Sequence, residues 1–149
     1  MNRIVVADDG SPGAMRGVEL AAELAAKTGA ELVGFAVVDA DQYPDSEVRG
    51  LVDSELLGEA EARQWLVEGS AEYLDRCATV AARHGVVRFR TERWPGSDPA
   101  ATIIAFARDW PADLVVLGSL GHGRLPGMLL GSVSQKLASL SPCSVLIAR

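Results

Sequence analysis

Short, nearly unbroken apolar runs alternate along this chain with longer amphipathic stretches, and no other feature restricts the fold as much. The clearest runs are Ile4-Val5-Val6-Ala7, Glu31 to Val38, Leu114-Val115-Val116-Leu117 and Ser144-Val145-Leu146-Ile147-Ala148. A strand apolar at successive positions is buried on both faces, as in parallel sheets covered by helices on either side. Parallel strands also need a crossover between them, and the intervening stretches can supply it. Val18, Ala21, Ala22, Leu24 and Ala25 recur at helical spacing before a terminating Gly29. From Glu59 to His84, Leu66, Ser70, Tyr73, Cys77 and Ala81 step by three or four residues, and Gly85 stops the helix. Asp98-Pro99 starts another helix, with a capping carboxylate and proline at the first helical position, which runs to about Trp110. A short one is predicted from Ser132 to Ser139.

The remaining strand, predicted over Val86 to Trp94, is of a different kind. Val87, Phe89 and Thr91 alternate with Arg88, Arg90 and Glu92, the pattern of an edge strand with one wet face. Tyr43-Pro44-Asp45 marks a turn inside the segment from Asp39 to Leu57. That segment is either a loop over a site or the approach to the next helix. The plan is one α/β domain over residues 1–149, with five parallel strands and right-handed crossovers that place helices on both faces. Ligands of such sheets bind beyond the carboxyl ends of the strands, where strand order reverses. Two polar segments lie at strand ends, Asp8-Asp9-Gly10-Ser11 and the loop from Gly118.

Composition narrows the functional classes. The chain of 149 residues is 48% hydrophobic and 23% charged, with a formal charge of −6, which removes disordered and low-complexity classes. The acidic balance opposes non-specific nucleic-acid binding, which needs cations to displace counterions. Arg88, Arg90 and Arg93 therefore read as a solvated strand face. No apolar segment approaches the roughly 20 residues that span a bilayer. Asp8 and Asp9 interrupt the first apolar run too soon for a signal-peptide core, so a cytoplasmic location is expected. Cys77 and Cys143 form no CxxC pair and read as buried free thiols. Trp65, Trp94 and Trp110 are expected as core or interface aromatics.

The segment from Gly118 to Ser134 carries the chemistry. Gly118, Gly121, Gly123, Gly127 and Gly131 permit close approach of backbone to a ligand, and successive N–H groups make anion-binding concavities. Gly131-Ser132 stands where the last helix begins, so free N–H groups and the helix dipole would attract a phosphate there. Ser132 and Ser134 add hydroxyl donors, and Arg124 a cation. No lysine stands where a P-loop needs it, and neither a GxGxxG fingerprint nor a GxSxG elbow is present. A long surface turn with no ligand fits the same residues. His122 has no acidic partner to orient it as a base and reads as a loop residue or phosphate contact; no catalytic residue is assigned. His84 reads as a solvated helix-end residue. Asp8 and Asp9 could hold Mg²⁺ through water, or Asp9 could be a plain strand-end cap.

The spacing Gly118-x2-Gly121-x9-Gly131-Ser132 resembles the G-x2-G-x9-G-[ST] signature of ATP-binding universal stress proteins. Ile4 to Ser11 resembles that family's first strand and turn, and Ser141 to Ile147 its last strand. The resemblance implies a doubly wound five-stranded parallel sheet of order 3-2-1-4-5 with ATP between strands one and four. It places Ala7 and Asp9 beside the nucleoside, with Asp9 near ribose, phosphates and any Mg²⁺, and Val37 against adenine. Gly118, Gly121, His122 and Gly123 would approach ribose and phosphates, while Gly131, Ser132, Val133 and Ser134 hold the triphosphate. It also implies a homodimer through the last strands and a stress-response regulator that senses ATP, with at most slow hydrolysis. No nucleic acid or membrane is expected as partner. Asp8 stands where relatives carry an apolar or small residue, and would repel phosphates unless Mg²⁺ intervened. Leu120 stands where relatives are often polar or basic, and Pro126 stiffens the loop. Two other classes stay open: a nucleotide-free interaction dimer of the same fold, and an enzyme acting on adenylates or pyrophosphate.

Overall fold

β1 (Arg3–Ala7) lies at the centre of a parallel sheet, flanked by β2 (Glu31–Val38) and β4 (Leu114–Gly118), with β3 (Phe89–Pro95) and β5 (Ser144–Ala148) at the edges. The order is β3-β2-β1-β4-β5, as expected. The computed structural model describes residues 1–38, 59–121 and 129–149, with residues 59–70 described by backbone alone. The segment from Asp39 to Leu57, His122, Gly123, Arg124 and Pro126 fall outside the described residues, as do the side chains of Trp65 and Leu66.

Side chains alternate across a strand, so each strand feeds two cores. Ile4 and Val6 of β1, Leu32 of β2, and Leu114 and Val116 of β4 face one side. There they meet α1 (Pro12–Thr28) through Val18, Ala21, Ala22 and Ala25, and α2 (Glu59–Arg83) through Cys77, Val80 and Ala81. Val5, Val33, Phe35, Val115 and Leu117 face the other side, against Ile103 and Phe106 of α3 (Pro99–Asp109) and Leu137 of α4 (Ser132–Leu140). Trp94 and Trp110 join this second core, Trp94 edge-on to Phe106 at 5.3 Å and Trp110 stacked on Phe106 at 5.9 Å.

The helix ends follow from local chemistry. Ser11 Oγ accepts the Ala14 N–H at 3.1 Å to open α1, and Gly29, at φ +68°, closes it. Asp98 Oδ1 accepts the Ala101 N–H at 3.1 Å to open α3. Between α1 and β4 the packing is backbone on backbone. A Cβ on Gly118 would lie 2.4 Å from the Gly13 carbonyl carbon, and one on Gly13 would lie 2.6 Å from the Leu120 oxygen.

Three expectations need correction. β3 begins at Phe89, not Val86, because the Leu32 N–H engages the Arg88 carbonyl and pairing starts with Leu32 opposite Phe89; Val87 is 95% exposed. His84 is paired rather than merely solvated, with Nε2 2.9 Å from Glu19 Oε2. The expected solvated face holds for Arg88 and Arg93, which are exposed, but not for Arg90, which is half-buried. Arg88 bonds the Gly29 carbonyl at 2.7 Å, while Arg90 engages Glu31 and Glu92 and lies over the Trp110 ring. The cysteines are free, Cys77 buried and Cys143 half-buried. Among the described residues no helix is long and apolar enough to cross a membrane.

Candidate functional site

A cavity of about 390 Å³ opens beyond the carboxyl ends of β1 and β4, on the side covered by α3 and α4. This is the point where successive strands leave in opposite directions across the sheet. Its volume falls in the range of small-molecule sites. Ala7, Asp9, Val37, Gly118, Gly121, Gly131, Ser132, Val133 and Ser134 all line it, so every sequence-predicted site residue within the described part converges there.

One end of the cavity is made by the start of α4. Its N-cap is Gly131, which offers no side-chain cap, whereas α1 and α3 are capped by Ser11 and Asp98. The first N–H groups of a helix have no partner within it, and Ser132, Val133 and Ser134 occupy those positions along the cavity wall. The helix dipole adds positive potential at the same point. Two contacts fix this end against β4. The Gly131 N–H donates to the Ser119 carbonyl at 2.8 Å, and Ser134 Oγ donates to the Gly118 carbonyl at 2.9 Å. The Ser134 hydroxyl is therefore spent on backbone, not presented as a donor to the cavity as expected from sequence. What Ser134 offers the cavity is its N–H.

The cavity also has an apolar wall, made by Phe35, Val37, Pro99 and Ile103. Sequence reasoning found only Val37 of these. Phe35 was legible, because it lies two residues before Val37 on the same face of β2. Ile103 follows Pro99 by one helical turn, so its place on that face of α3 was legible too. Leu120 also lines the cavity. Lys136 of α4 pairs with Asp98 at the start of α3 on the exposed outside, and this bond holds the Asp98 carboxyl below its usual range.

The turn after β1 carries two adjacent carboxylates in different settings. Asp9 is exposed; its Oδ1 accepts the Ser11 N–H at 3.0 Å, and its Oδ2 lies 2.5 Å from where a Gly121 Cβ would stand. Asp8 is 4% exposed. Its Oδ1 accepts the Gly10 N–H at 2.8 Å, and its Oδ2 accepts the Cys77 thiol of α2 at 3.2 Å. Burial pushes the Asp8 carboxyl above its usual range, opposed by these two bonds. Burial, then the Asp8 charge, raises the Cys77 thiol. Strand alternation sets where the Asp8 carboxylate goes. Asp8 lines the cavity beside Ala7 and Asp9, but it continues the Ile4 and Val6 face of β1, and its two carboxylate oxygens are engaged by the Gly10 N–H and the Cys77 thiol.

Among the described residues no group of three metal-ligating side chains is present. A lone carboxylate such as Asp9 suits Mg²⁺ only when phosphate oxygens complete the shell.

Residues 1–149 match the universal stress protein family. The universal stress protein YxiE of Bacillus subtilis is 32% identical over 148 residues, covering 99% of each chain. The structure of UspA from Lactobacillus plantarum superimposes with a TM-score of 0.70 at 26% identity, over 99% of this chain and 97% of that one. A universal stress protein in complex with cAMP superimposes with a TM-score of 0.68 at 24% identity, over 99% and 96%.

Proposed function

The chain belongs to the universal stress protein family, and we propose that its cavity binds an adenine nucleotide as a sensed ligand of a stress-response regulator. The observation that carries this reading is one cavity lined by both an apolar wall and an open helix N-terminus. A purine needs the first and a phosphate the second. Asp9 lines the same cavity from the turn after β1 and would accept from ribose hydroxyls. The structural relative in complex with cAMP supports adenine as the base.

ATP with Mg²⁺ is the proposed physiological ligand. Asp9 would hold the cation through water beside the phosphates, where it would offset their charge. His122 and Gly123 belong to the same proposal as ribose or phosphate contacts. Two of the hydroxyls at the cavity support sensing over turnover. Ser11 Oγ accepts a helix N–H and Ser134 Oγ donates to the Gly118 carbonyl, so both already serve the backbone. The regulator acts in the cytoplasm, as two free thiols support. It pairs through β5, whose outer edge is unpaired in the sheet and whose Val145, Leu146 and Ile147 are half-buried.

The test starts with the purified protein, acid-extracted and analysed for released nucleotide by chromatography and mass. Calorimetry with ATP, AMP and cAMP follows, with and without Mg²⁺. Wild type is expected to bind, and Ser132→Trp, which fills the phosphate end from an exposed position, to lose binding with its circular dichroism unchanged. An empty extract and no heat with any of the three would refute the reading and leave a nucleotide-free interaction dimer. Phosphate or pyrophosphate release at many turnovers per minute would replace sensing with catalysis. Light scattering reads the dimer directly.

A further inference from the structure

We propose that Asp8 is a positioning residue for this site. It holds the turn that presents Asp9 by gripping the Gly10 N–H on one side and the Cys77 thiol of α2 on the other. The inference rests on the nucleotide reading above for its purpose, and on bond geometry for its substance.

A buried carboxylate is expensive, and the place it occupies is apolar on every strand neighbour that shares its face. Ile4, Val6 and Leu32 are fully or almost fully buried there. An aliphatic side chain at position 8 would satisfy that core without desolvating a charge. The carboxylate does what an aliphatic group cannot. It accepts the Gly10 N–H at 2.8 Å, closing a turn two residues ahead of itself. Asp9 repeats the arrangement one residue later with the Ser11 N–H at 3.0 Å, and Ser11 in turn caps α1 through Ala14 at 3.1 Å. The whole passage from β1 to α1 is thus a chain of side chain to backbone bonds, of which Asp8 is the first.

Asp8 also ties that chain to α2 by a hydrogen bond. Its second oxygen accepts the Cys77 thiol at 3.2 Å, with Cys77 1% exposed. Tyr73, one turn earlier on α2, lies against Gly10, where an added Cβ would come within 2.4 Å of its ring. Gly10 sits at φ +78°, a conformation that side chains rarely adopt. So α2 touches the turn at Asp8 and at Gly10, one contact before Asp9 and one after it. Asp9 itself lies between these anchors, across from Gly121. Releasing Asp8 leaves Gly10 with an unmet N–H and lets the turn move relative to Gly121.

Two readouts on three proteins test this. Wild type, Asp8→Val and Asp8→Asn are compared by amide exchange at Gly10 and Ser11 in NMR, and by calorimetry with Mg-ATP and AMP. Asparagine keeps an acceptor for the Gly10 N–H and the size of the side chain; valine keeps neither bond. Asp8→Val is expected to exchange faster at Gly10 and to bind about tenfold more weakly, the loss of roughly one hydrogen bond's worth of ordering. Asp8→Asn is expected to restore both to within about twofold. Wild-type exchange and affinity in Asp8→Val would overturn the proposal. So would equal losses in Asp8→Val and Asp8→Asn, which would make position 8 an ordinary core site. If Asp8→Val fails to fold, Cys77→Ala against Cys77→Ser, which keeps a hydroxyl donor, is read in the same two ways. If wild type binds neither nucleotide, the reading of the site fails, and Gly10 exchange alone decides whether Asp8 holds the turn.

Discussion

Gly118 and Gly131 belong to one spaced motif, yet the structure separates their physical roles, and one substitution at each position tests the separation. An alanine Cβ at Gly118 would stand 2.4 Å from the Gly13 carbonyl carbon, 2.6 Å from its oxygen and 2.7 Å from the Ala14 nitrogen. All three are backbone atoms, so no rotamer change relieves the overlap; α1 must move off the sheet. Overpacking of this kind costs about 1–3 kcal/mol, and part is offset because alanine narrows the unfolded ensemble by about 0.4–1 kcal/mol. Gly118→Ala should therefore lose about 1–2 kcal/mol, which for a chain of this length lowers the melting temperature by about 2–8 °C. At Gly131 the nearest atom to an added Cβ is the Ser119 oxygen at 3.6 Å, and φ is −73°, open to any residue. The unfolded-state gain there opposes the modest preference of glycine over alanine at an N-cap, so Gly131→Ala should hold its stability within about 0.5 kcal/mol. Thermal and urea unfolding, with unchanged denaturant slopes, measure both. Equal stability of the two variants would refute the argument, because it would mean the α1–β4 contact yields without cost.

Two further outcomes follow from groups in or beside the cavity. Ser134→Ala leaves the half-buried Gly118 carbonyl short of a donor and should cost about 1 kcal/mol; nucleotide affinity should change less than about threefold, a hydrogen bond's typical net worth being absent from the ligand side. A large affinity loss would show that the hydroxyl faces the ligand after all. Asp8 has its folded value raised above the unfolded one, chiefly by burial, so its contribution to stability is fully present below the unfolded value and is lost as pH rises through the folded one. Asp8→Asn should accordingly melt higher than wild type at pH 7, with the gap closing as pH falls toward about 4; a gap independent of pH would contradict the burial of charge at this site. Glu19 and Asp113, held below their usual range by their bonds, act in the opposite sense and lose their contribution on acidification in both proteins alike.

The elements were legible where local chemistry alone sets them. Ile4 to Ala7 and Leu114 to Leu117 are apolar at each position because helices cover both faces, and Asp98-Pro99 and Gly29 mark helix ends through bonds to near neighbours. β3 was misplaced at its start because its first residue is decided by pairing with Leu32, not by the apolarity of Val86 and Val87. The uncapped helix start at the cavity was legible as glycines before a helix. The reason for Gly118 was not, because the atoms that demand it belong to Gly13, far away in sequence. The setting of Asp8 follows from parity along β1, but its thiol partner lies 69 residues away and leaves no local trace.

The seam of Gly13 and Gly17 against Leu117 and Gly118 follows different rules for change from the apolar wall of the cavity. Where main chain abuts main chain, dimensions are fixed by covalent geometry, and single replacements have nowhere to go. The wall of Phe35, Val37 and Ile103 is built of replaceable side chains. A point substitution can therefore reshape that wall, whereas one at Gly13 or Gly118 must move α1 against the end of β4.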